Sequence, residues 1–251
     1  VIEPGSVALT RSEINLYSAS RFFDASGTRP QDAGRIAYDA IDKLDIDGDI
    51  LAASSGDGVG GRMDVTAADI QIVGSQSDGV DGIQLVAGEL EQLNVDSILL
   101  GGTRSTTAEG NSISVSANSV TVAGDVDLTV SELLLAARQN VTVEAGAQIA
   151  ATRTGKTSGG AVSVSGNGAL VQASVGDALQ VQRRNASGST GALSIQETAS
   201  VFGQGALVLN ASGSTIIKGS IDTQGTAGFG SGKLVLGVED AASGMALSQA
   251  A

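Results

Sequence analysis

A glycine, then alternating apolar positions, then a small residue: this phrase returns along most of the chain and constrains its fold more than any other feature. It reads SGGAVSVSG at 158–166, STGALSIQE from Ser189, GQGALVLNA from Gly203, GSGKLVLGV from Gly230 and VGGRMDVTA from Val59, with looser copies at Gly34 (GRIAYDA) and Gly82 (GIQLVAG). Period-two alternation is the mark of a half-buried strand, because successive side chains leave opposite faces. A short unit of this kind repeated many times points to a stack of similar layers.

The alternation continues between the copies, in MDVTAADIQIV (63–73), SISVSANSVTVAG (112–124), VDLTVSELLLAA (126–137), NVTVEAGAQIAA (140–151) and ALVLNASGSTIIKGSIDTQG (206–225). Strands of four or five residues follow one another with only a small residue, Asn or Asp between them. That is too little chain for crossover helices, and few Asn-Gly or Asp-Gly pairs are present to close two-residue hairpins. The chain is therefore expected to turn corners rather than reverse. The predicted fold class is all-β: a single-stranded right-handed parallel β-helix (β-solenoid) with Gly-rich loop excursions.

Re-entry into each layer falls near Gly34, Gly61, Gly82, Gly160, Gly191, Gly205 and Gly232. The excursions are SGTRPQDAG (26–34), SSGDGVGG (54–61), TRSTTAEGN (103–111), TRTGKTSGG (152–160) and RRNASGSTG (183–191). With strands about 4.8 Å apart along the axis, roughly nine or ten coils make a rod on the order of 45 Å long. Residues 1–251 read as one continuous solenoid segment, in which 1–55 is a less regular beginning holding both Tyr, both Pro and two of the four Phe. Residues 238–251 are Ala-rich and read as a disordered tail, a cap or the start of a further coil. The start VIEPGSVALT has no initiator Met and no signal-peptide pattern, so the chain reads as a piece of something longer.

Composition fits thin layers. Aromatic residues make up 2% of the chain and Trp is absent, so apolar volume comes from Val, Ile, Leu and Ala, punctuated by 35 Gly. A disordered Gly/Ser-rich chain is excluded by a hydrophobic share of 41%. The net charge of −13 argues against nucleic acid and against an anionic membrane surface, both of which require clustered Lys and Arg. No apolar run reaches the length of a membrane-spanning helix, so no membrane insertion is expected. Absence of Cys excludes a disulfide scaffold and leans toward an exported protein, and absence of His removes the commonest general base and metal ligand.

Three groups of residues carry the chemistry that remains. Asp45, Asp47, Asp49 and Asp57 in DIDGDILAASSGDG cluster carboxylates as a hard cation requires, but lack the Gly and Glu spacing of an EF-hand loop. On a strand, Asp45, Asp47 and Asp49 share one face, which reads as a solvated acidic stripe or else a weak calcium site. Asp78 and Asp81 lie in a turn, and Glu89, Glu91 and Asp96 follow in a polar strand pair; paired carboxylates suit glycoside hydrolysis or lyase chemistry. Too few aromatics are present to grip a sugar ring. A Ser-Lys dyad through Lys43, Lys156, Lys218 or Lys233 is formally open, though each Lys sits in a solvated Gly- or Asp-rich stretch. Sequons occur at Asn140, Asn185 and Asn210, while Asn118, Asn140 and Asn210 read as corner residues suited to left-handed backbone.

The stretch 113–166, ISVSANSVTVAGDVDLTVSELLLAARQNVTVEAGAQIAATRTGKTSGGAVSVSG, resembles the shaft repeats of filamentous haemagglutinin-like exoproteins, bacterial adhesins exported by two-partner secretion. The likeness lies in short V/L/I strands, small-residue corners and Gly-Gly re-entry, and covers about 34–237. The family's Asn-Pro-containing secretion motif is missing, which points to the shaft or a later segment. The resemblance implies a secreted or surface-anchored rod that presents loops for attachment. Its implied partners are an outer-membrane two-partner secretion transporter, for the parent protein, and a host or neighbouring-cell receptor or glycan. It implies no catalytic residue, cofactor or metal. The alternatives are a polysaccharide-active β-helix enzyme, with Asp78, Asp81, Glu89 or Glu91 as acid groups, and a calcium-stabilised structural roll.

Overall fold

The computed structural model describes residues 31–46, 48, 50–157, 159–188 and 190–223, together with the backbone of Lys233–Val238 and Met245–Leu247. By its internal contacts the chain divides into two units, Val1–Pro30 and Gln31–Ala251. The first lies outside the described residues, and every element below belongs to the second.

The described residues are all-β apart from one short helix, and their strands, numbered in chain order, fall into four sheets. Sheet I runs β1 (Arg35–Asp39), β2 (Arg62–Thr66), β5 (Ser97–Leu100), β10 (Glu132–Ala137), β14 (Ala169–Ser174), β18 (Ala206–Ala211) and β21 (Lys233–Val238). Sheet II runs β4 (Ile83–Val86), β3 (Asp69–Val73), β8 (Ser119–Val122), β11 (Asn140–Val143), β16 (Ala192–Ile195), β19 (Thr215–Ile217) and β22 (Met245–Leu247). Sheet III holds β9 (Asp127–Val130), β12 (Gln148–Ala151), β17 (Ser200–Gly203) and β20 (Ser220–Asp222). Sheet IV holds β6 (Gly102–Thr107), β7 (Gly110–Val115), β13 (Gly160–Ser165) and β15 (Leu179–Arg184).

In sheets II and III every pairing is parallel and each strand meets a strand of another pass in register. Val141, for example, lies beside Val120 on one side and Leu193 on the other. Alternate residues then stack like on like. Leu133 and Leu135 of sheet I, Val141 and Val143 of sheet II, and Ile149 and Ala151 of sheet III all enter one apolar core.

Sheet I is different, because its strands β5, β10, β14 and β18 are dry on both faces. Leu99, Leu134, Ala136 and Leu170 point away from that core and pack beneath sheet IV, against Ile113, Val115, Val162 and Val164. Strands β10, β14 and β18 are accordingly buried at all six positions, whereas β11 alternates between buried and partly exposed. The sequence carries the same contrast: ELLLAA is a continuous apolar run and NVTV alternates, the expected difference between strands covered on two sides and on one.

The chain also reverses, which the corner-turning expectation did not include. TRSTTAEGN is no loop excursion: β6 and β7 form an antiparallel hairpin that turns at Ala108 and Glu109. Within RRNASGSTG, Arg183 and Arg184 belong to β15. Strand β14 runs antiparallel to both β10 and β18, so the sheet is not parallel throughout. The cause is local: only residues 166–168 and 175–178 link β14 to β13 and β15. Short links of this kind, opening on Gly166 at φ 78°, fold a strand back rather than carry it across.

The recurring Gly marks strand entry but not one equivalent place. Strands β1, β2 and β18 begin one residue after Gly34, Gly61 and Gly205 in sheet I, β4 and β16 follow Gly82 and Gly191 in sheet II, and Gly160 opens β13 in sheet IV. Two further expectations are corrected. Among the described residues of 40–54 no strand forms, and Leu51 makes only an isolated bridge to Asn94. Glu89 and Glu91 belong not to a strand pair but to helix α1 (Ala87–Gln92), whose AGELEQ favours helix. Ala87 and Leu90 enter the main core, and the Glu91 carboxylate accepts the Thr129 N–H of β9 at 2.5 Å. The helix thus lies against the edge strand of sheet III.

Gly101 lifts the chain out of β5 into the hairpin at φ +93°, and a Cβ there would lie 1.9 Å from the Ala136 carbonyl oxygen. Gly101→Ala is expected to lower the unfolding free energy by about 2 kcal/mol or more. Gly88→Ala on α1, where a Cβ meets nothing within 4 Å, should be neutral or stabilising by up to about 1 kcal/mol. Urea denaturation of the two variants checks the contrast.

Candidate functional site

The outward face of sheet I is not uniformly apolar. Met63 and Val65 enter the main core, so Asp64 between them faces sheet IV, and it is fully buried. Its Oδ2 accepts the backbone N–H of Arg104 at 2.8 Å, and its Oδ1 lies 3.3 Å from the Arg104 Nε, an ion pair not aligned as a hydrogen bond. Arg35 approaches the same carboxylate at 3.8 Å and donates to the Arg104 carbonyl. The Arg104 side chain is 15% exposed. Burial pulls its guanidinium below the ordinary arginine value, opposed first by Asp64 and then by Glu132.

Glu132, at the start of β10, is the second buried carboxylate. It accepts the Ser97 hydroxyl and, at 2.7 Å, the Gln172 amide. Gln172 also accepts the Leu179 N–H at 2.9 Å and donates to the Asp177 carbonyl at 3.2 Å, which ties β14 to the start of β15. At the far end, Asn210 of β18 accepts two bonds from the Arg183 guanidinium at 3.0 and 2.8 Å. Directional bonds of this kind hold sheet IV on sheet I in one register.

Between the two sheets lies a cleft of about 340 Å³, walled by Arg62, Arg104, Glu132, Ser105, Thr106 and Asn111 among others. It carries cations, carboxylate and hydroxyls over an apolar floor that includes Ile113, Leu134, Val162 and Leu179. Such a mix binds polar ligands by a few directed groups.

The residues singled out from sequence lie elsewhere. Asp78 and Asp81 are exposed in a turn, and Glu89 and Glu91 sit on α1. The Glu91 carboxylate is engaged with Thr129, and Asp96 accepts the Lys156 N–H at 2.8 Å. Asp45 pairs with Lys43 at 3.1 Å and Asp57 with Lys156 at 3.8 Å; Asp47 and Asp49 lie outside the described residues. Lys218 is exposed, and Lys233 opens β21. No group of three or more acidic residues suited to a metal ion occurs among the described residues. Of the Asn corner candidates, Asn210 is instead inside β18 and buried, and among the described non-glycine residues the left-handed backbone is taken by Asn185 at φ 58° and Thr198 at φ 64°.

Sequence reasoning passed over Asp64, Arg104, Glu132 and Gln172. A usable signal existed for two of them: ELLLAA and ALVQAS are apolar at both parities, so a polar residue in either run has no wet side to face. Asp64 in RMDVT gave none, since a strand with one wet face reads the same way. Comparison with known proteins identifies no relative: no family model, no curated protein and no solved structure matches the chain.

Removing one partner of a buried ion pair leaves the other charge uncompensated. Asp64→Ala is therefore expected to cost about 3 kcal/mol, while Asp78→Ala in the exposed turn stays within about 0.5 kcal/mol of the parent. Chemical denaturation of both variants makes the comparison.

Proposed function

We propose that this chain is a structural and adhesive segment of a large secreted or surface-anchored bacterial exoprotein, built as a right-handed parallel β-helix of the filamentous haemagglutinin-like kind. What carries the reading is the matched parallel register of sheets II and III around a core shared with sheet I. A fold that lengthens by repeating one pass suits a rigid spacer better than an enclosed reaction chamber. On this reading the exposed end of the β6–β7 hairpin, 105–110, is a presented element. The parent protein would be exported through an outer-membrane two-partner secretion transporter, and its counterpart would be a receptor or glycan on a host or neighbouring cell.

Of the acid groups named for a polysaccharide-active enzyme, Glu91 favours the adhesive reading over the catalytic one. The Glu91 carboxylate holds a β9 backbone amide and Asp96 holds that of Lys156, which are scaffold duties.

Solution scattering of the full chain is expected to give an elongated particle, with a circular dichroism spectrum dominated by β structure. Beads coated with the chain should attach to epithelial or bacterial cells above an albumin-coated control. A compact particle would overturn the rod. Attachment no better than albumin would overturn the adhesive role, and so would turnover of an acidic polysaccharide that is lost in Glu91→Gln.

A further inference from the structure

The cleft between sheets I and IV gathers positive charge in an acidic protein. The cleft is lined by two guanidiniums, Arg62 and Arg104, against one carboxylate, Glu132, with Asp64 behind Arg104, in a chain that carries −13 overall. Both carboxylates are already engaged: Asp64 holds the Arg104 backbone amide, and Glu132 holds Ser97 and Gln172. The Arg104 Nη2 is buried and has no hydrogen-bond partner among the described residues. A buried donor on a charged group is costly to leave unmade, and its natural partner is an anion.

We propose that this cleft binds a small organic acid bearing one carboxylate and several hydroxyls, of the size and chemistry of a single acidic sugar. The carboxylate goes to the Arg104 and Arg62 side of the cleft, where a guanidinium offers paired donors. The hydroxyls meet the hairpin wall at Thr106 and Asn111, which lie opposite one another on the same strand face as Arg104 and Ile113. The Thr106 hydroxyl donates to the Asn111 carbonyl oxygen at 2.8 Å, which leaves the Asn111 amide nitrogen to donate outward. Ile113, Leu134, Val162 and Leu179 supply a floor for the C–H face of a ring. At about 340 Å³ the cleft stands at the small end of ligand sites and suits one ring rather than a chain of them. Glu132 on the wall sets the charge limit, since a doubly charged phosphate would face it where a carboxylate brings a single charge. The anchors Arg62, Arg104 and Glu132 belong to the sheet I and sheet IV interface, so the charge recognition does not depend on the adhesive reading, whereas Thr106 lies within the hairpin end at 105–110.

Titration calorimetry of the full chain with D-glucuronate at low salt tests the site, with D-glucose and inorganic phosphate as comparators. Saturable glucuronate binding is expected, weaker by about tenfold for the two comparators. Arg62→Gln should weaken it by about fivefold or more, in a protein whose unfolding midpoint shows that it remains folded, since Arg62 is half-buried at the rim. Arg104→Gln alone strands Asp64, so the double variant Asp64→Asn with Arg104→Gln removes both charges together and should abolish binding in a folded protein. Absence of saturable glucuronate binding, equal binding of glucose, or binding unchanged in both Arg62→Gln and the double variant would each overturn the proposal.

Discussion

The middle strands of sheet I, β5, β10, β14 and β18, have no wet face, and much of the molecule follows from that. One side closes the core shared with sheets II and III, and the other must be covered or leave Leu99, Leu134 and Leu170 in water. Full burial of a leucine side chain is worth about 1.5–3 kcal/mol, so uncovering three of them would consume most of a domain's net stability. Sheet IV is the cover. The hairpin leaves sheet I at Gly101 and returns across it, and β13 and β15 complete the layer. The antiparallel course of β14 is a consequence, since the chain must drop from β13 into sheet I and climb back to β15 through two short links.

Apolar contact alone does not decide where such a cover sits, because it is non-directional. The polar residues on the outer face of sheet I supply direction. Gln172, held by Glu132, binds the start of β15, Asp64 binds β6, and Asn210 binds Arg183. These groups stabilise only while complete, as each buried carboxylate or amide left without its partner becomes a penalty. The interface is therefore specific and, at Arg104, not wholly satisfied within the protein. That remainder gives the cleft its chemical character.

Sequence patterning located the strands well where one face is wet. The segments 112–124, 140–151 and 206–225 each hold the short strands that their alternation announces. It failed where local composition had two readings. KLDIDGDILAAS looks like NSVTVAGDVDLTVS, yet its described residues form no strand, and AGELEQ took the place of a strand beside β9 because its residues favour helix. The polar TRSTTAEGN read as a loop because its strands are exposed at the tip and offer little apolar alternation. Its inward residue is an arginine, not an aliphatic.

What the sequence determined by itself is the all-β class, the short strand length and the points at which glycine lets the chain enter a strand. These are local properties, written in a period of two and in the backbone freedom of one residue type. Only the tertiary structure decided which sheet lies between two cores, and hence which polar residues are buried. Asp64 meets Arg104 and Glu132 meets Gln172 across forty residues each. A period-two pattern says that a side chain faces away from its neighbours, not whether water or another sheet lies on that side.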